Sequence, residues 1–158
     1  MNYFELFGIP VSLTIDKSKL AKKYFELQKK YHPDFFTQNN EAEQDEALEK
    51  SSAINKALKV FQNKDSTIKY VLQLKGLLEE EEKYQLRPDF LMEVMELNEQ
   101  LSAESTTAIE VFEKEIYSEV SSIIDGYNDT STTTIELLKV KEYYFKKKYL
   151  LRILERLD

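Results

Sequence analysis

The chain has 158 residues, enough for one medium domain or two small ones, and its 42% hydrophobic and 32% charged residues with only three glycines and three prolines favour an all-α fold. The absence of cysteine excludes disulfides, thiolate metal sites and thiol nucleophiles, and the net charge of −7 argues against nucleic-acid binding. No apolar run is long enough to span a membrane and no secretion signal begins the chain, so we expect a soluble, cytoplasmic protein without a membrane partner.

A short apolar segment and a longer amphipathic one predict the first two helices. The segment Tyr3–Phe7 is followed by Gly8, whose tolerance of positive φ suits the end of a short helix. In residues 16–31, apolar side chains recur every three or four positions, which predicts one apolar face on a second helix. These side chains belong to Leu20, Tyr24, Leu27 and Tyr31. Either Thr14 or Asp16 can cap the start of this helix.

Two further helices complete a predicted N-terminal domain at residues 1–75. Pro33 should end the second helix near His32, because proline disfavours helical geometry at the residue before it. Helical periodicity resumes over 41–62, and a shorter helix follows up to Gly76. An antiparallel pair of long helices with a short helix at each end is the simplest arrangement of these elements.

The remaining sequence predicts an acidic linker and a C-terminal bundle of three helices. Four consecutive acids, Glu79–Glu82, favour a solvated connection, which we place at residues 76–87. Helical periodicity resumes beyond it and predicts a second domain at residues 88–158. The predicted helices cover about 88–101, 106–125 and 134–157.

The tripeptide His32-Pro33-Asp34, which contains the only histidine of the chain, is the main candidate for a functional site. A tripeptide alone is a weak signal, because an ordinary helix end can have the same sequence. A general base formed by His32 and Asp34 is conceivable, but the chain offers no nucleophile motif and no second histidine for a metal. A His/Asp hydrolase is therefore the less favoured alternative, and we predict no catalytic residue, no metal and no cofactor.

A cationic face lies next to this tripeptide on the predicted second helix. At about 100° per residue, five lysines cluster on the side opposite the apolar face. They are Lys19, Lys22, Lys23, Lys29 and Lys30. A solvated lysine face is common on helices, but this one runs along the same edge as the imidazole of His32 and the carboxylate of Asp34. A cationic surface can steer an acidic partner and Asp34 can pair with a cation, so the pattern indicates a protein-docking surface.

The C-terminal half contains a second candidate surface. Residues 76–158 carry 10 basic and 19 acidic side chains, a net charge of −9, whereas residues 1–75 carry 12 and 10, a net charge of +2. The segment 90–101 has more apolar residues than one helix face can bury, and a helical wheel divides them. One side holds Phe90, Val94, Leu97 and Leu101, and the other holds Leu91, Met92 and Met95 together with Glu96 and Glu99. The second side is typical of a protein-binding patch, the alternative being that it is core as well.

Residues 1–75 resemble the J-domain family. They contain, in the order typical of that family, a short helix, a basic helix, a His-Pro-Asp loop and a third helix. More narrowly, the chain resembles the HscB co-chaperones of iron-sulfur cluster assembly in their bacterial form, and this resemblance continues to the C-terminus. The motifs are Tyr3-Phe4-Glu5-Leu6-Phe7-Gly8, Leu27-Gln28 before Tyr31-His32-Pro33-Asp34, Ser52-Ala53-Ile54-Asn55, and Tyr70-Val71-Leu72 before Leu74 and Gly76. The chain departs from the family at Phe35, where a lysine is usual, and near Lys64 and Ile68, where proline and arginine are usual.

The resemblance implies a co-chaperone that docks on a DnaK/HscA-class ATPase through the lysine face and the tripeptide, and that stimulates this ATPase. It also implies that the C-terminal bundle binds an IscU-like scaffold protein through Leu91, Met92, Met95, Glu96 and Glu99. An aromatic residue of the last helix belongs to the family's site, and we choose Tyr144 from the run Tyr143–Phe145. A J-domain co-chaperone for a different client is the closest alternative. The chain has no Gly-x-x-x-x-Gly-Lys motif and is not expected to bind ATP itself.

Overall fold

The computed structural model describes residues 1–99 and 103–157, and within these residues it contains helices and connecting segments but no strand. The all-α prediction is therefore confirmed. The chain forms two compact units, unit 1 over Met1–Val71 and unit 2 over Leu72–Asp158. In the described residues no helix has both the length and the hydrophobicity needed to cross a bilayer. The predicted domain boundaries at residues 75 and 88 stay a prediction.

Unit 1 is a helical hairpin with a short helix at each end. Its helices are α1 (Tyr3–Phe7), α2 (Lys17–Tyr31), α3 (Glu41–Gln62) and most of α4 (Lys64–Leu74), with a 3-10 turn at Pro33–Phe35 between α2 and α3. The first three helices begin at a polar side chain that accepts a backbone hydrogen bond from the first turn. These side chains are Asn2, Asp16 and Asn40, which accept from the N–H groups of Glu5, Lys19 and Glu43. Gly8 ends α1 in the left-handed conformation, as predicted.

The antiparallel register of α2 and α3 is set by Asn55. Its Oδ1 accepts hydrogen bonds from the Tyr24 hydroxyl at 2.9 Å and from the Gln28 side-chain amide at 3.3 Å. One apolar stripe of α3 packs beneath this contact, because Ile54, Ala57 and Phe61 are buried. The paired polar contact on the surface and the apolar contact below it therefore hold the two long helices together.

The two ends of unit 1 meet at a cluster of aromatic rings. The Tyr3 ring stacks on the Tyr70 ring with centroids 4.7 Å apart, and the Tyr3 N–H donates to the Tyr70 hydroxyl at 2.8 Å. Phe61 of α3 contacts both rings edge-on and also contacts Phe4 and Phe7. Burial raises the pKa of Tyr70, so its hydroxyl keeps its proton at neutral pH. These contacts join α1, α3 and α4 in one core.

Unit 2 is a bundle built from three long helices and one short one. Its helices are α5 (Pro88–Asn98), α6 (Ala103–Ser118), α7 (Ser121–Asp125) and α8 (Thr134–Leu157). The predicted helix over 106–125 is therefore interrupted after Ser118. The hydroxyls of Ser118 and Ser121 donate to the carbonyls of Glu115 and Ser118, and such bonds compete with the regular helical pattern. Leu101, predicted as core, lies outside the described residues.

The segment that precedes α5 is only partly solvated. Glu79–Glu81 are exposed, as expected for an acidic connection, but Leu78 is buried. Glu82 forms an ion pair with Lys141 of α8 at 2.7 Å, and this hydrogen bond lowers the pKa of the Glu82 carboxyl. Tyr84 stacks on Phe145 of the same helix with ring centroids 4.6 Å apart. The second half of the predicted linker is therefore packed against the bundle of unit 2.

Candidate protein-docking surfaces

The His-Pro-Asp sequence forms a tight turn that backbone hydrogen bonds hold in place. The N–H of His32 closes the last turn of α2 on Gln28 at 2.9 Å, and His32 then adopts the extended conformation that a following proline favours. Pro33 begins the 3-10 turn, in which the N–H of Phe35 donates to the His32 carbonyl at 3.0 Å. The end of α2 and this turn therefore fix the backbone from which the three side chains project.

The side chain of Asp34 is exposed and that of His32 is about half exposed, at 85% and 45% of their full accessible surface. His32 Nδ1 accepts a hydrogen bond from the Asp34 N–H at 3.2 Å and lies 3.6 Å from the nearer carboxylate oxygen of Asp34. In a neutral ring the proton is then on Nε2, which can donate to a partner. This geometry is unlike a catalytic His-Asp pair, in which Nδ1–H donates to the carboxylate. The described residues contain no group of three or more ligating side chains placed to hold a metal ion.

The lysines of α2 form a cationic surface next to this turn. Four of them are exposed: Lys19, Lys22, Lys29 and Lys30. Lys23 is half-buried and lies 3.9 Å from Glu26, which partly neutralises it. Lys50 of α3 also belongs to this surface, because its ammonium lies 4.9 Å from the centroid of the Tyr31 ring, and that of Lys30 lies 5.3 Å away. The sequence pattern of α2 alone did not predict Lys50, which lies at the cationic surface because of the register between α2 and α3.

Phe35 makes the turn partly aromatic. Its side chain is 65% exposed, and its ring is edge-on to the His32 ring with centroids 6.2 Å apart. The next residue, Phe36, is half-buried and belongs to the structure of the turn. The turn therefore presents an apolar ring beside the imidazole and the carboxylate.

The second candidate surface lies on α5. Phe90 and Val94 are buried in unit 2, whereas Met92 and Met95 are 62% and 60% exposed on the opposite side of the helix. Glu96 is exposed on the same side, Leu91 is half-buried, and Glu99 is exposed just beyond the last residue of α5. The two methionines are therefore not core, and they form an apolar patch bordered by carboxylates.

The aromatic run on α8 contains three different environments. Tyr143 is buried, with its ring 5.7 Å from that of Tyr117. Phe145 is covered by Tyr84, as described above. Tyr144 is half-buried, and its ring lies edge-on to Phe145 with centroids 5.2 Å apart. Tyr143 is thus core and Phe145 is covered, whereas Tyr144 is half-buried, and its place in a binding surface stays a prediction.

The helical hairpin, the exposed His-Pro-Asp turn at the end of a lysine-rich helix and the separate bundle define a J-domain protein with a C-terminal domain. Two family models match the chain, the DnaJ domain over residues 2–70 and the HSCB C-terminal oligomerisation domain over residues 86–158. The crystal structure of human co-chaperone protein HscB aligns with a TM-score of 0.78 and 30% identity over 99% of this chain and 80% of that chain. This chain belongs to the HscB family of co-chaperones.

Bacterial relatives support the same assignment. The chaperone HscB from Vibrio cholerae aligns with a TM-score of 0.68 and 28% identity over 99% of this chain and 95% of that chain. The co-chaperone protein HscB homolog of Vibrio vulnificus is 42% identical over 102 residues, which are 64% of this chain and 60% of that protein. The sequence match thus spans less than two thirds of the length of this curated relative.

Proposed function

We propose that this protein is a co-chaperone that delivers an IscU-like iron-sulfur scaffold protein to a DnaK/HscA-class ATPase. The observation that carries the proposal is the exposed His-Pro-Asp turn, fixed by backbone hydrogen bonds beside a cationic surface, in a chain of the HscB family. A turn of this kind contributes little to the core of unit 1. Its exposed imidazole and carboxylate are therefore available to another protein.

Docking on the ATPase combines long-range attraction with short-range contacts. The exposed lysines of α2 attract an acidic surface, which raises the rate of encounter at low ionic strength. At contact, the Asp34 carboxylate accepts charge-assisted hydrogen bonds from an arginine or lysine of the ATPase, and His32 Nε2–H donates a further bond. Phe35 adds an apolar contact next to these polar ones. The tight turn presents all three groups together, so little conformational entropy is lost on binding.

The scaffold binds to the patch on α5. Met92 and Met95 supply adaptable apolar contacts, and Glu96 and Glu99 select a partner with cationic groups at the edge of its own surface. Carrying both sites in one chain raises the effective concentration of the scaffold at the ATPase. The family resemblance implies that the docked turn accelerates ATP hydrolysis, after which the ATPase closes on the delivered scaffold.

A steady-state ATPase assay with purified DnaK/HscA-class chaperone tests this proposal. The protein alone should raise the rate of ATP hydrolysis, and the protein with an IscU-like scaffold should raise it further, because the ternary complex brings the client to the chaperone. An isothermal titration of the scaffold into this protein provides the second readout. Stimulation without scaffold binding would assign the protein to a different client, and the absence of any stimulation would refute the docking role of the turn.

A further inference from the structure

A groove runs between α5 and α6 on the surface of unit 2. Its volume is about 370 Å³, and its apolar lining comes from Leu97, Ala108, Val111 and Phe112. Val111 is 51% exposed, although it is a β-branched apolar residue on a helix that offers a buried face to others such as Ile109. The groove therefore exposes apolar surface that the described residues of unit 2 do not cover.

Three carboxylates line the same groove. They belong to Glu93, Glu96 and Glu115. None of the three forms an ion pair within the described part of the chain. The first two are three residues apart on α5, where like charges repel and destabilise the helix slightly.

Three other acids of unit 2 do form ion pairs with lysines of α8. Glu113 of α6 lies 3.7 Å from Lys147, and Glu142, within α8 itself, lies 3.1 Å from Lys146. Glu82 pairs with Lys141 as described above. These three acids of unit 2 thus have a lysine partner, whereas Glu93, Glu96 and Glu115 have no cationic partner among the residues that the structure describes. Their negative charge is available to cations of another molecule.

The groove is continuous with the methionine patch of α5. Glu96 belongs to both surfaces, since it borders the patch and lines the groove. On the helix, Met92 is four residues before Glu96 and therefore lies on the same side, one turn away. A partner that covers the two methionines can therefore also contact Glu96 and the groove beside it.

We propose that the scaffold-binding surface extends across this groove to Val111 and Glu115 of α6. It takes up a segment of the scaffold in which an apolar side chain is flanked by lysine or arginine. The apolar side chain fills the space between Leu97 and Val111, and the flanking cations pair with the unpaired glutamates. A second copy of this chain is the poorer occupant, because a self-complementary contact would bring two identical acidic grooves together. This inference rests on the proposed function, since it extends the same scaffold site.

The test is an isothermal titration of purified IscU-like scaffold into the 158-residue chain and its variants. Val111→Ala removes apolar contact area and keeps α6 stable, since alanine has the higher helix propensity. Glu115→Gln removes one charge at constant shape. We expect each substitution to weaken scaffold binding by about three- to tenfold, and Glu115→Gln to make binding less dependent on salt.

Two matched variants control for general effects of apolar and charge removal. Ile135→Ala shortens an exposed apolar side chain on α8, and Glu110→Gln neutralises an exposed acid of α6 that does not line the groove. Both should bind the scaffold with the affinity of the unmodified chain. Circular dichroism melting curves and sedimentation velocity, recorded for every variant, report folding and self-association.

The outcomes separate the two proposals. If Met92→Ala weakens binding but Val111→Ala and Glu115→Gln behave as their controls do, the groove inference is overturned and the scaffold site on α5 stands. If the unmodified chain does not bind the scaffold at all, both are overturned. If Val111→Ala and Glu115→Gln alter self-association and leave scaffold binding unchanged, the groove is a contact between copies and the inference is wrong.

Discussion

Unit 1 and unit 2 present their candidate binding groups in opposite ways. In unit 1 the groups are polar and lie on one turn, which backbone hydrogen bonds hold and in which the Asp34 N–H donates to the imidazole of His32. In unit 2 they are mainly apolar and lie along a helix, with glutamates at the edge. The binding groups of the first surface are thus confined to two or three polar atoms. Those of the second surface are spread over a larger apolar area.

This difference predicts how strongly a single substitution weakens binding at each surface. A polar contact leaves an unpaired charge in the partner when one group is removed, so a single substitution should cause a large loss. An apolar surface loses free energy in proportion to the area removed, so its substitutions should have graded effects. Salt should also separate the two surfaces, because screening weakens the attraction of the lysines more than it weakens apolar burial.

The largest expected effect is that of Asp34→Asn on ATPase stimulation. The substitution keeps the shape of the side chain but removes the charge that pairs with a cation of the ATPase, so stimulation should fall by at least about thirtyfold. A single-turnover ATPase assay measures the loss, and titration of the scaffold should show unchanged binding. Asp45→Asn, at an exposed acid of α3, is the control. Equal stimulation by both variants would mean that Asp34 does not contact the ATPase.

The double substitution Met92→Ala and Met95→Ala should weaken scaffold binding by about twentyfold, because it removes exposed apolar area from the centre of the patch. Alanine keeps α5 helical, and both side chains are outside the core. The measurement is a titration with scaffold, and ATPase stimulation in the absence of scaffold serves as the control readout. A fall in both readouts would show that the two surfaces are not separable as we describe them.

A smaller effect is expected when Lys22 and Lys29 are both changed to glutamine. The concentration for half-maximal ATPase stimulation should rise about fivefold at low salt, because the cationic surface accelerates encounter, while maximal stimulation is retained. The difference should shrink as ionic strength rises toward about 1 M. Lys148→Gln, at an exposed lysine of α8, is the control. An equal loss at every salt concentration would show that the lysines do not act through electrostatic attraction.

The smallest effect concerns the stability of unit 2. Asp129 accepts hydrogen bonds from Lys75 and from the Tyr127 hydroxyl, and the Lys75 contact is the main cause of the lowered pKa of its carboxyl. Because the folded pKa is lowered, the stabilisation is present above the ordinary carboxyl pKa of about 4 and disappears as the pH falls through the folded pKa.

Asp129→Asn keeps an acceptor for Tyr127 and loses the charge. Both partners of the ion pair are partly exposed, so we expect a loss of only about 0.5 kcal/mol in the free energy of unfolding at pH 7. In urea denaturation, the difference from the unmodified chain should be largest at pH 7 and should shrink as the pH falls below about 4. ATPase stimulation should be unaffected, and a loss of stimulation would contradict the separation of the two surfaces.

Local signals in the sequence predicted most of the fold. The observed bounds of α3, Glu41–Gln62, agree with the predicted ones, because a run of helical periodicity begins after a good capping residue, Asn40. Asp16 and Pro33 similarly define the two ends of α2. The tripeptide turn was predictable for the same reason, since proline restricts its neighbour whatever the rest of the chain does.

The features that the sequence did not predict depend on competition or on distant partners. The interruption after Ser118 arises because serine hydroxyls compete with backbone N–H groups for helix carbonyls. The periodicity of apolar residues carries no information about this competition. Glu82 was expected to be solvated, but Lys141, 59 positions later, holds it against the bundle. Lys50 joins the cationic surface only through the packing of α3 on α2. Each case requires knowledge of which elements are neighbours in space.

The contact between Tyr3 and Tyr70 has a consequence for the order of folding. Their hydrogen bond closes a loop of 67 residues, whereas the bonds from Tyr24 and Gln28 to Asn55 close loops of 31 and 27. Shorter loops cost less entropy to close, so the hairpin of α2 and α3 should assemble early and the aromatic contact late. The amide proton of Tyr3 would then become protected from hydrogen exchange only when the last folding step of unit 1 is complete. Its exchange rate therefore reports on that step alone.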